Sequence, residues 1–99
     1  MMTEKSALRI VIPANWRALI GGGQPGHLEC QAATVEGALE WLTSEYPSLA
    51  VRVFSKGTKR VASWINIYLN EEDIRDLGGV STAIESPSVL TIIQAVAGG

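Results

Sequence analysis

The sequence predicts an α+β fold, a mixed sheet of four to five strands with one main helix packed on one face. Three stretches carry this reading. Leu8, Ile10 and Ile12 alternate with Ala7, Arg9 and Val11, a period of two rich in β-branched residues. Val35, Ala38, Leu39, Leu42 and Tyr46 recur at helical spacing. Residues 89–93 are apolar on both faces, as a central strand covered on both sides, or flanked by partners, should be. Strands joined by a hairpin, then one long helix, then a late return to the sheet is an α+β order. It makes the first and last strands central neighbours, linked by right-handed crossovers.

Each element has its own justification. The first strand stops at Pro13, which cannot donate to a ladder. Gly21-Gly22-Gly23 and Pro25-Gly26 punctuate a long loop, and residues 27–31 form the second strand of a hairpin. Thr34 stands where a helix N-cap belongs, Glu36 lies near the positive end of the dipole, and Pro47 ends the helix. Residues 50–54 alternate like a short strand. Residues 64–69 form a firmer one, with Ile65, Ile67 and Leu69 facing in and Asn66 and Tyr68 facing out. The chain turns at Asn70-Glu71-Glu72-Asp73 and again at Asp76-Leu77-Gly78-Gly79, before a short segment at 80–84.

Bulk properties narrow the function. The 99 residues suit one domain spanning 1–99, with a flexible tail at 95–99. A net charge of -2 offers no basic excess to neutralise phosphates, so nucleic acid is not expected as a partner. The basic run at 56–60 reads as a solvated loop. Cys30 is the single cysteine, which excludes an internal disulfide and any multi-cysteine metal site and fits a reducing, cytoplasmic setting. The apolar part of the N-terminal stretch is too short for a signal peptide or a membrane span, so no membrane is expected.

The residue inventory is poor in catalytic groups. His27 and Cys30 lie three apart on a strand, on opposite faces, so they do not form a nucleophile–base pair, and two ligands make no zinc site. Gly21-Gly22-Gly23 lacks the Gly-Lys-Ser/Thr ending of a P-loop. The acidic residues Glu71, Glu72, Asp73 and Asp76 lack calcium-loop spacing and read as a solvated turn or, more sharply, a docking surface for a basic partner. Trp16, Trp41 and Trp64 are many for a small domain; an exposed one would mark an interface. No metal site and no catalytic residue is expected, and the chain does not read as an enzyme.

Attention then falls on Ala95-Val96-Ala97-Gly98-Gly99. A terminal carboxylate is a chemical group in its own right. Glycine has no Cβ, so a Gly-Gly end can thread a narrow channel with almost any backbone angle. Glycine doublets also occur at Gly21-Gly22 and Gly78-Gly79, so the doublet alone is a weak signal, and a frayed end is the plain alternative. A doublet following a central strand on this strand–helix plan is a stronger one.

Three stretches then resemble one family: residues 66–75 (Asn-Ile-Tyr-Leu-Asn-Glu-Glu-Asp-Ile-Arg), residues 78–84 (Gly-Gly-Val-Ser-Thr-Ala-Ile) and residues 95–99 (Ala-Val-Ala-Gly-Gly). They resemble the small sulfur-carrier proteins of the MoaD/ThiS type, which have the ubiquitin-like β-grasp fold. The wording is most similar to carriers that supply sulfur for cysteine biosynthesis. Two departures stand out: Pro87-Ser88 replaces a frequent Gly-Asp turn, and Gln94 a frequent proline. The family also tends to place a short helical turn after the main helix, against the alternation at 50–54.

The resemblance implies a mechanism. An E1-like adenylyltransferase/sulfurtransferase would use ATP and magnesium to adenylate Gly99. Sulfur would then displace AMP and leave a Gly99 thiocarboxylate, while Gly98, Ala97, Val96 and Ala95 thread into the partner. A sulfur-acceptor enzyme, in the cysteine route a pyridoxal-phosphate-dependent synthase, would take the sulfur, and a metalloprotease would trim the added residue. Those cofactors belong to the partners; the carrier itself needs none. Recognition would use apolar contacts from the exposed sheet face, with the tail as an anchor. Rival readings are the small subunit of molybdopterin synthase, a carrier for another sulfur-containing metabolite, a ubiquitin-like protein modifier joined through Gly99, and an interaction module whose tail is incidental.

Overall fold

The computed structural model describes residues 5–21, 27–55, 58 and 60–94. Five strands form one sheet: β1 (Ser6–Val11), β2 (His27–Ala32), β3 (Ile65–Leu69), β4 (Glu72–Asp73) and β5 (Ser88–Gln94), in the order β2-β1-β5-β3-β4. β1 and β5 are parallel central neighbours, with Ile10 opposite Leu90. β1 pairs antiparallel with β2, and β5 with β3. This is the mixed sheet of the ubiquitin-like β-grasp, and the expected centre of the sheet is borne out.

One face of the sheet is dry. Leu8, Ile10, Leu28, Ala32, Ile65, Ile67, Leu69, Leu90 and Ile92 point inward along their strands and are buried. They meet α1 (Val35–Glu45), which buries Val35, Ala38, Leu39 and Leu42. The N-cap is as the sequence predicts: Thr34 Oγ1 accepts the Gly37 N–H at 3.0 Å. Tyr46 closes the helix, half-buried, its ring edge-on to Trp41 at 83°.

The loop after β1 is more ordered than its composition suggests. Residues Ala14–Ile20 form a 3-10 helix that drops Trp16 and Ile20 into the core and ends at Gly21, whose φ of 109° needs a residue without a Cβ. The segment at 82–84 is stitched to the start of α1: Val35 donates to the Thr82 carbonyl at 3.0 Å, and Ile84 to the Ala33 carbonyl at 2.8 Å.

Residues 50–54 are not a strand. A 3-10 turn (Pro47–Leu49) runs into a short helix, α2 (Ala50–Val53), and only Phe54 makes a bridge, to Val61. Helical spacing wins because it stacks Leu49 and Val53, four apart, on the buried side, and leaves Val51 69% exposed. A strand would have put Val51 and Val53 on the same face. The acidic turn is also shorter than read from sequence. Asn70 and Glu71 alone turn the chain, and Glu72–Asp73 return as β4. Asn70 accepts the left-handed φ of 61°, and its side chain receives the Val89 N–H at 3.1 Å.

Candidate functional site

The reading from sequence centres on residues 95–99, and all five lie outside the described residues. What the fold positions is their point of departure. β5 ends at Gln94, opposite Ile65 at the start of β3. The middle of β5 is held between β1 and β3 as far as Thr91, and the last described residues, Ile92 to Gln94, are held by the β3 ladder alone.

Around that point the second face of the sheet is open. Val89, Thr91 and Ile93 of β5 point away from α1, beside Arg9 and Val11 of β1 and Asn66 and Tyr68 of β3. Ile93 is 47% exposed and Trp64, at the foot of β3, 43% exposed. Among the three tryptophans, Trp16 is core, Trp41 is half-buried, and Trp64 is the exposed one that sequence reasoning sought. Ile93, one residue before the end of β5, and Trp64, one residue before the start of β3, are thus two exposed apolar side chains at this end of the sheet.

A polar clasp borders this face. Arg75 Nε donates to Asp73 Oδ1 at 3.0 Å, and Arg75 Nη2 donates to Asp73 Oδ2 at 2.6 Å and to Asn66 Oδ1 at 3.1 Å. The Asp73 carboxylate also accepts the Arg75 backbone N–H at 2.9 Å, capping the 3-10 turn Ile74–Asp76. Arg75, first through its guanidinium and then through its backbone N–H, holds the Asp73 carboxyl below the usual carboxylate range. The bidentate fork on Asp73 leaves Arg75 Nη2 also holding the side chain of Asn66, which the β3–β5 register places opposite Ile93. Asp73 is thus spent on local structure, and Glu71, Glu72 and Asp76 remain as the exposed acids. The motif was visible in the sequence, but this geometry was not, because Asn66 and Arg75 meet only once the β3–β4 hairpin closes.

The other candidates stay apart. Cys30 packs against the core, and burial pushes its thiol pKa up, away from a reactive thiolate. His27 faces Glu29 at 3.5 Å rather than Cys30. Among the described residues no three His, Cys, Asp or Glu side chains group to hold a metal ion, and no helix is long and apolar enough to cross a membrane.

Comparison with known proteins agrees with this architecture. The ThiS family model matches residues 10–99. The sulfur carrier protein CysO of Mycobacterium tuberculosis is 33% identical over 79 residues, 79% of this chain and 84% of that protein. The small archaeal modifier protein 1 of Methanosarcina acetivorans superposes with a TM-score of 0.82 at 28% identity, covering 96% of this chain and 98% of that one. The Amycolatopsis orientalis BexX/CysO complex contributes a chain with a TM-score of 0.78 at 30% identity, covering 93% and 99%.

Proposed function

The chain belongs to the ThiS family, and from that membership we propose that it is a sulfur carrier whose reactive group is the Gly99 carboxylate. The observation that carries the reading is the family match running to Gly99, on a fold that pairs the end of β5, at Gln94, with the start of β3.

The chemistry follows from the group. A carboxylate holds no good leaving group, so it is first activated. A Gly99 oxygen attacks the α-phosphorus of ATP, and pyrophosphate departs. Sulfide then attacks the carbonyl carbon, AMP departs, and a thiocarboxylate remains. Both steps belong to an E1-like adenylyltransferase, which supplies the magnesium site. The absent side chains of Gly98 and Gly99 let the acyl group enter a closed site that excludes water from the acyl-adenylate. Ala95, Val96 and Ala97 form the small, uncharged lead. A separate acceptor enzyme takes the sulfur; in a route to cysteine it is a pyridoxal-phosphate synthase, followed by a metalloprotease that removes the added residue. The likeness to CysO supports that route. The chain itself is a cosubstrate rather than an enzyme, and a reducing cytoplasm suits a thiocarboxylate.

Ile93 and Trp64, flanking the exit, would supply the apolar contact with each partner in turn. A test is pyrophosphate exchange with an E1-like enzyme of the same genome. The full chain should support exchange, and a chain lacking Gly98-Gly99 should fold alike and support none. Equal exchange by the shortened chain would overturn the assignment of Gly99. One observation favours a second reading, a protein modifier: the likeness to the small archaeal modifier protein. Isopeptide-linked Gly-Gly remnants on lysines, dependent on this chain, would establish it.

A further inference from the structure

The two strands that lead to the exit lose their outer neighbours before they reach it. β1 accompanies β5 only as far as Thr91. β4 accompanies β3 only at Tyr68 and Leu69. Ile65 to Ile67 of β3 and Ile92 to Gln94 of β5 therefore pair with each other alone. A two-stranded ribbon is marginal in water, so more than its own ladder has to hold it. On the inner face the core does so through Ile65, Ile67 and Ile92, all buried.

On the outer face the clasp does so. Asn70 donates its N–H to the Val89 carbonyl at 2.7 Å, and bonded pairs alternate along an antiparallel ladder, so Asn66 and Ile93 exchange both backbone bonds. Theirs is the last such rung among the described residues. The β3–β4 register pairs Tyr68 with Asp73; extended by two residues it would set Arg75 opposite Asn66. The chain instead enters the 3-10 turn Ile74–Asp76, and Arg75 spans the gap with its side chain. Its Nη2 donates to Asn66 Oδ1 at 3.1 Å, while Nε and Nη2 hold the two Asp73 carboxylate oxygens. The clasp thus ties the last rung to β4 where backbone pairing has stopped.

An exposed ion pair adds little to global stability. Strand ends, however, open locally at a free energy near zero, and there a small contribution sets the population. We propose that Arg75 is a positioning residue: by holding Asn66 it keeps the Asn66–Ile93 rung closed, and so fixes the point from which residues 95–99 enter the activating enzyme. The proposal rests on the sulfur-carrier reading. A group delivered to a closed site reacts at a rate set by its placement, so the effect falls on turnover rather than on affinity.

The test uses the full chain labelled with nitrogen-15. In Arg75→Ala and in Asn66→Ala the Ile93 amide should exchange with solvent roughly threefold faster or more, the change an exposed pair supports, while the Thr91 amide keeps its rate. The two substitutions combined should add nothing further, since both break one contact. Asn66→Asp, which keeps an acceptor for Arg75 Nη2, should behave as the unaltered chain. In pyrophosphate exchange with an E1-like enzyme of the same genome, Arg75→Ala should lower kcat by a similar factor and leave the KM for the chain unchanged. An Ile93 amide that quickens no more than Thr91 would overturn the proposal. So would a defect confined to KM, which would make Arg75 a direct contact with the enzyme. An unaltered chain that supports no exchange, with an enzyme active on another carrier, would overturn the sulfur-carrier reading itself, and the Ile93 amide would still decide whether Arg75 braces the rung.

Discussion

The two faces of β5 are built from similar residues and have opposite surroundings. Leu90 and Ile92 lie under α1, at most 2% exposed, whereas Ile93, one residue on, is 47% exposed. Period-two alternation sends neighbouring side chains to opposite sides, so one strand serves two purposes. The inner face supplies the burial that makes a 99-residue chain fold. The outer face keeps apolar groups in water beside the exit of 95–99. The difference teaches that apolar character along a strand does not by itself say which face its own chain covers; under the proposed function, the uncovered face is the one that would meet partner proteins.

Substitutions along the strand sharpen this contrast. Leu90→Ala on the inner face should cost about 2–5 kcal/mol, from lost transfer energy plus the cavity left behind. Urea denaturation measures it directly. Thr34→Ala, at the start of the helix covering that face, should cost about 1 kcal/mol by removing the N-cap acceptor for Gly37. The same denaturation series checks it.

The clasp bordering the outer face adds a smaller, pH-dependent effect. Asp73 has a folded-state pKa below its usual 3.8, mainly because Arg75 bonds the charged form. The stability it contributes is therefore present above the unfolded value and is lost as pH falls through the folded value. Asp73→Asn should flatten the stability profile in that acid window and leave it unchanged near neutrality in shape. An unchanged acid limb would show that the clasp does not couple to folding.

Ile93→Ala should have the smallest effect on stability, within about 0.5 kcal/mol. It should nevertheless raise the KM of the carrier for its activating enzyme. A stability loss as large as that of Leu90→Ala would break the contrast between the two faces.

Much of this was legible in the sequence, where a period or a cap is local. The alternation at 7–12, the stripe on α1 and the Thr34 cap needed no tertiary knowledge. The error at 50–54 has a physical source. Five residues, apolar but for Arg52, are too few to separate the two periods, and the burial of Leu49 with Val53 decides between them. The Asn66–Arg75–Asp73 clasp was not legible, because it depends on how a two-residue turn at Asn70-Glu71 and a two-residue β4 close one hairpin. The family resemblance identified the motif without revealing that geometry.

The most direct measurement is the intact mass of the chain after incubation with ATP, magnesium, an E1-like enzyme of the same genome and sulfide. A gain equal to one oxygen replaced by sulfur, confined to the peptide ending in Gly99, is the expected result. No gain, with an enzyme shown to be active on another carrier, would contradict the assignment of Gly99 as the sulfur-bearing group.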